Sequence, residues 1–276
     1  MEKKGNVKVG VYVDVANIAQ NGGYGMQYDV LREFACRNEG IAMRLNAYVA
    51  YDEQRAREDI HYRNKAQSYY SLLRDFGYKV IVKKFKWHFD EKGEKFGKAN
   101  ADLEMAIDAL MQSERLDYVL LVTGDGDFLQ VVRALQNKGC RVDILAFKNV
   151  SKKLREEADM FISGYMVPDL LPLEKEEDEE RYRGICYSFM LDKGYGFMRY
   201  QKRLKGGLWI TDTRKKESPY ETAFVHSSKF PKNIDYYRLP NRDMIFEFTV
   251  VHDENGRPQA ENIKLVYDYG DLSQHN

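Results

Sequence analysis

Tyr118-Val-Leu-Leu-Val-Thr-Gly-Asp-Gly-Asp-Phe128 is the stretch from which the rest of the chain can be read. Val119 to Val122 are consecutive large apolar residues. They mark a short strand covered on both faces, because a strand with one wet face would alternate polar and apolar positions. Gly124 and Gly126 then allow a sharp turn around Asp125, and Asp127 opens a predicted helix containing Val131, Val132 and Leu135. Two carboxylates are thereby expected at the carboxyl end of a central strand, where open α/β sheets receive their ligands. Asp127 with Gln130 also fits a capping box, so a helix cap and a site residue are both open readings of it. Asp125 lies before that cap and has no obvious local backbone partner.

Working outward, Val7 to Val13 is a β-rich run that ends at Asp14, and Asn17 follows just past it. A helix cap is the plainer reading of Asn17. A helix through Val30, Leu31 and Phe34 stops near Gly40, and Ile41 to Ala50 alternates as a second strand. Tyr62, Ala66, Tyr69, Leu73 and Phe76 recur at helical spacing, so the tyrosines among them read as packing groups on one face of a long helix. Gly77 ends that helix and Lys79 to Lys83 starts a third strand. Basic residues interleaved with aromatics follow, from Lys83 to Lys98, a composition that suits either a nucleic-acid contact or a solvated hairpin. Asn100 to Met111 is the next predicted helix, with Leu103, Ala106, Ile107 and Leu110 as its apolar face. Asp102 lies in its first turn, where an acid also complements the helix dipole. Asp108 falls about 240 degrees further around the axis and cannot share one small site with Asp102. Cys140 to Phe147 forms another strand, Ser151 to Ala158 a short capped helix, and Phe161-Ile162 a last apolar element. Such alternation predicts an α/β domain, a mostly parallel sheet with helices on both faces.

The whole chain has 276 residues, enough for two domains. Its 43 basic and 43 acidic residues cancel, so a nucleic-acid partner must be held by local patches. Cys36, Cys140 and Cys186 are scattered without CxxC spacing, which argues against a disulfide framework or a zinc knuckle and for a reducing compartment. No apolar leader and no membrane-length apolar run is evident, so a soluble, cytoplasmic protein without a membrane partner is expected.

Asp14, Asp102, Asp125 and Asp127 follow strand ends or occupy helix starts, and in a βαβ fold those ends converge on one edge of the sheet. Carboxylates so crowded repel one another and raise their pKa values unless a cation neutralises them. Oxygen donors without His or Cys select magnesium or manganese, which can hold a phosphodiester and activate water. The combination VYVDVAN, KANADLEMAIDAL and LLVTGDGDF resembles the NYN domain, a branch of the PIN-like nucleases, over about residues 7–165. The resemblance implies a metal-dependent ribonuclease with Asp14, Asp102, Asp125 and Asp127 as catalytic and metal-binding acids. It also implies that Asn17 orients a ligand and that Lys98 lies beside the second acid, within reach of a phosphate. Gly126 stands where the family more usually has serine.

Pro168 to Pro172 leads into the acidic run Glu174 to Glu180, which reads as a solvated tether. The predicted division is a nuclease-like domain over 1–170, a linker over 171–181, a second domain over 182–268 and a tail over 269–276. Five short strands and an Asn255-Gly256 turn suggest a small closed barrel there. Lys193-Gly-Tyr-Gly-Phe197, Ala223-Phe-Val-His226 and Gln259-Ala-Glu-Asn-Ile263 resemble the motifs of a cold-shock domain, an OB-type barrel. That resemblance implies single-stranded RNA as partner, contacted by Lys193, Tyr195, Phe197, Phe224 and His226, with glycines letting the strand pass close to a base. The alternative is that these aromatics fill the barrel. Ser188 stands where the family usually places Trp, and Tyr187 and Trp209 are the candidate substitutes. An added segment from Arg199 to Glu221 brings Arg199, Lys202, Arg203, Lys205, Arg214, Lys215 and Lys216. The expected function is a magnesium- or manganese-dependent endoribonuclease. A non-catalytic RNA-binding regulator with a degenerate nuclease domain is the alternative. A phosphatase using a DxD pair fits less well, because Ala16 stands two residues after Asp14. Oligomeric state, a homo-oligomer included, is left open.

Overall fold

A computed structural model describes residues 6–84, 86–89, 95–98, 101–173 and 180–270, with the side chains of 86–89 and 95–98 left out. The side chain of Lys98, the acidic run at 174–179 and the tail from 271 therefore lie outside the described residues. Contacts divide the chain into two compact units, Met1–Tyr24 with Tyr28–Ile162, and Gly25–Gln27 with Ser163–Asn276.

Strands and helices alternate through residue 163: β1 (Lys8–Asp14), α1 (Val15–Ile18), α2 (Tyr28–Ala35), β2 (Ile41–Tyr51), α3 (Glu53–Glu58), α4 (Ile60–Asp75) and β3 (Lys79–Lys84) come first. A paired antiparallel hairpin, β4 (Lys86–Phe89) and β5 (Lys95–Lys98), follows. Then come α5 (Asp102–Gln112), β6 (Tyr118–Val122), α6 (Leu129–Asn137), β7 (Arg141–Ala146), α7 (Lys152–Glu157) and β8 (Met160–Ser163). The main sheet has the order β3-β2-β1-β6-β7-β8. Pairings from β3 through β7 are parallel. β6 is buried along its whole length, as its unbroken apolar run requires. Tyr12, Val119, Leu121, Val142 and Ile144 pack with Met105 of α5 and Val132 and Leu135 of α6 on one face. α2 packs against β1 and β2 with Leu31 and Phe34 buried.

The stripe read from α4 is sheltered, with Leu73 fully buried. The face read for α5 holds at Ala106 and Leu110, which pack against the core, and needs correction at its other two positions. Met105 and Ala109 point into the core, whereas Leu103 and Ile107 are 63% and 50% exposed. Small or slender residues face the sheet because the Tyr12 and Tyr48 rings already occupy that layer. α5 is held in place by polar contacts as well. Tyr48 Oη donates to Asp108 Oδ2 at 2.8 Å, Tyr12 Oη donates to Gln112 Oε1 at 3.2 Å, and Asn46 Nδ2 donates to Tyr48 Oη at 3.2 Å. Asp108 is thus a structural acid.

The second unit contains β9 (Arg181–Met190), β10 (Tyr195–Gln201), β11 (Tyr220–His226), β12 (Asn241–His252) and β13 (Pro258–Asp268). Their order β10-β11-β13-β12-β9 closes on itself. At the β12–β13 turn Gly256 takes a φ of 74°, and Asp253 N donates to Arg257 O at 3.0 Å. Met198, Tyr200, Ala223, Val225, Phe246 and Phe248 fill the interior.

Candidate functional site

β1 lies between β2 and β6, so the chain leaves the sheet centre in opposite directions after these strands, and their carboxyl ends form a switch point of the kind at which open α/β sheets receive ligands. Asp14 is the last residue of β1 and only 8% exposed. Its Oδ1 accepts from Asn17 N at 3.0 Å, so Asp14 is itself the cap of α1. Asn17, read as a cap, does something else: its Oδ1 accepts from Gly124 N at 2.9 Å and ties the end of β1 to the turn after β6.

In that turn the cap is Asp125, whose Oδ1 accepts from Asp127 N at 2.9 Å. Asp125 N in turn donates to Thr123 Oγ1 at 3.2 Å. The capping-box reading of Asp127 is overturned, because a 3-10 turn over Gly126–Phe128 precedes α6 and moves the cap upstream of Asp127. The Asp127 residue is exposed. Asp102 begins α5. Burial, then the charges of Asp102 and Asp125, push Asp14 up to about 6 against the opposing hydrogen bond from Asn17 N. The structure therefore brings Asp102 and Asp125 each within electrostatic reach of Asp14, with Asp127 at the exposed side of the Asp125 turn.

A third loop escaped the sequence reading. Asn149 Nδ2 donates to Asn21 Oδ1 at 2.9 Å, Lys148 N donates to Asn21 O at 2.9 Å, and Ser151 N donates to Gly124 O at 3.0 Å. A Cβ at Gly126 would lie 2.9 Å from Ser151 Oγ, so the turn without a serine at 126 has the Ser151 hydroxyl beside it. The available signal was the polar cluster Lys148-Asn-Val-Ser151 directly after a strand.

A family comparison matches the NYN domain over residues 8–171, more than half of the chain. This chain belongs to the NYN family. As an NYN protein it falls among the PIN-like nucleases, an RNA-related class. It is 31% identical over 93 residues to the low amplitude and bright protein LabA of Synechococcus elongatus, a match covering 33% of this chain and 50% of LabA. The chain thus spans half the length of that curated relative. A crystal structure of a protein of unknown function from Vibrio parahaemolyticus shares the fold, with a TM-score of 0.51 at 24% identity over 62% of this chain and 100% of that one.

The family implies a divalent metal. Among the described residues no group of three or more His, Cys, Asp or Glu side chains stands ready to hold an ion. The NYN site nevertheless offers oxygen donors alone, one of them nearly buried beside two like charges. Oxygen donors alone suit a hard divalent cation.

Most of the second unit lies beyond the NYN match. Burial alternates along β10 and β11, with Met198, Ala223 and Val225 inward and Tyr195, Phe197 and Phe224 outward and half-buried. These three rings therefore do not fill the interior. Phe197 and Phe224 face each other across the strands with centroids 6.0 Å apart, and Tyr195 lies 5.5 Å from Phe224. Exposed His226 sits opposite Tyr195, its Nδ1 2.9 Å from Ser228 Oγ, and Lys193 is exposed in the preceding turn. The reading of the glycines needs correction at Gly196: it is buried, and a Cβ there would run into the Ser188 carbonyl of β9, so it serves strand packing rather than a base. Several cations of the added segment are already engaged. Lys202 pairs with Glu221 at 3.3 Å, Arg214 pairs with Asp212 at 2.8 Å, and Arg203 donates to Lys216 O at 3.1 Å.

Proposed function

We propose that this NYN protein is a cytoplasmic endoribonuclease that uses magnesium or manganese to hydrolyse single-stranded RNA, which an OB-type, cold-shock-like second domain holds. The observation that carries the reading is the convergence of Asp14, Asp102 and Asp125 at the switch point, where Asp14 is buried against two like charges. Asp14, Asp102 and Asp125 would hold the ion, and Asp127, exposed on the same turn, would hold it or orient water. When bound, a divalent cation supplies water of lowered pKa and positive charge for phosphoryl oxygens. Asn17 fixes the distance between the two loops through Gly124 N, so the acids are positioned before substrate arrives. On the second domain, Tyr195, Phe197, Phe224 and His226 offer stacking faces, each worth about 1–3 kcal/mol per base, and Lys193 offers a charge to the backbone. Lys98 retains its proposed phosphate role, in the strand just ahead of α5.

The test is cleavage of a labelled single-stranded oligoribonucleotide by the purified chain. Activity with manganese, none in EDTA, and loss of at least about a hundredfold in Asp125→Asn are expected, in line with the weight of electrostatic groups in catalysis. Activity unchanged in Asp125→Asn would overturn the site assignment. The absence of a ready-made ligand cluster among the described residues favours one competing reading, a non-catalytic RNA-binding regulator. Full RNA affinity in EDTA with no cleavage under any divalent ion would establish it instead.

A further inference from the structure

The closed sheet carries, on its outer face, a cation that has no anion among the described residues. Arg199 occupies the outward position of β10 after Tyr195 and Phe197, and pairs with Ile185 of β9 and Thr222 of β11. Its guanidinium lies 5.1 Å from the Tyr187 ring centroid and 5.4 Å from that of Tyr220. The register of β9 explains the first contact. Phe197 pairs with Ser188 but Met198 pairs with Cys186, so Tyr187 is the extra residue of a bulge and turns out of the ladder toward Arg199.

On the other side of β9, Asn241 of β12 pairs with the same Cys186. Arg242, one residue on, begins the irregular stretch of β12 on that far side of β9, and is exposed. β10 and β12 are two strand spacings apart, about 10 Å, a gap that two extended guanidiniums can close from both sides. Among the described residues, the side chains of Arg199 and Arg242 have neither a hydrogen bond nor an ion pair. Burial lowers the pKa of Arg199, opposed by Tyr220 and Tyr187 and reinforced by the charge of Arg242. A half-buried guanidinium facing a second cation is unfavourable until an anion completes it.

We propose that Arg199 and Arg242 together form a phosphodiester-binding position, and that Tyr187, backed by Arg199, supplies the stacking face that Ser188 lacks. The strand then continues the ring row Tyr195, Phe197 and Phe224 by one nucleotide, which is why single-stranded nucleic acid is the ligand rather than an acidic peptide. The inference rests on the reading that the second domain binds single-stranded RNA.

Fluorescence anisotropy of the full chain with a short single-stranded oligoribonucleotide, in EDTA and across a potassium chloride series, tests it. Arg199→Gln and Arg242→Gln should each weaken binding about tenfold, with the remaining guanidinium still neutralising the shared phosphate, and the double variant should lose about 0.7 of the log–log salt slope, the value for one single-strand phosphate. Arg199→Lys should retain the slope with lower affinity, since charge survives and planar stacking does not. Tyr187→Ala should weaken binding about 5- to 150-fold at unchanged slope. Arg242 is exposed, so Arg242→Gln decides the matter should Arg199→Gln fail to fold. Wild-type affinity in both glutamine variants and wild-type slope in the double variant, with binding lost in Phe197→Ala, would overturn this position and leave the RNA-binding reading standing. No binding by the wild-type chain would overturn both.

Discussion

Asp14 is ionised at neutral pH only against the combined effect of burial and two neighbouring acids. Its folded pKa of about 6 lies above an unfolded value near 3.9. Between these values the folded state binds more protons, so stability falls as pH rises through about 4 to 6, and the full penalty persists above 6. It amounts to about 1–3 kcal/mol. Asp14→Asn keeps an oxygen for the Asn17 N–H and removes the charge. Thermal melts in EDTA should therefore show Asp14→Asn more stable than wild type at pH 8, with the gain shrinking at pH 5. A lower melting temperature at both pH values would refute the assigned cause. The positions of Asp14, Asp102 and Asp125 were legible because apolar runs and turn glycines mark where strands end and helices begin. The roles of Asn17 and Asp127 were not. The partner of Asn17 lies 107 residues away, and the 3-10 turn that moves the cap to Asp125 leaves no distinct mark in composition.

At the scale of the element, α5 both carries Asp102 and closes one face of the sheet. Its registry depends on buried polar contacts as much as on apolar ones, with Asp108 accepting from Tyr48 and Gln112 accepting from Tyr12. Asp108→Ala deprives the Tyr48 hydroxyl of its acceptor and should cost about 1–3 kcal/mol in urea unfolding. Leu103→Ala should lie within about 0.5 kcal/mol of wild type, as the side chain is already in water. The reverse ranking would show that the face has been misplaced. Period alone cannot choose between two apolar stripes on one helix. Leu103 and Ile107 looked like the core, yet the rings of Tyr12 and Tyr48 leave room on the sheet side for Met105 and Ala109.

For the whole molecule, alternating strands and helices followed by short strands foretold a parallel sheet and a closed sheet, because each architecture has its own hydrophobic period. The outward rings of the second unit could not be told from interior ones in the sequence, since alternation shows that two faces exist and not which is wet. With two units carrying separate proposed roles, ligands should leave separate footprints. Hydrogen exchange of the full chain should show manganese protecting the amides around Asp14, Asp102 and Asp125. An oligoribonucleotide in EDTA should protect β10 and β11. Manganese protection confined to residues 181–270 would contradict the site assignment.

The Asn17–Gly124 hydrogen bond also sets an order of events. Its partners are 107 residues apart, and it ties the strand end that carries Asp14 to the turn that carries Asp125. Loop-closure entropy opposes such distant meetings until intervening local structure has formed. A growing chain therefore cannot possess the site until β6 has emerged and paired with β1. Asp14 and Asp125 therefore meet only after α2 and α4 can already have formed, and a chain interrupted before residue 118 lacks the second of these acids altogether.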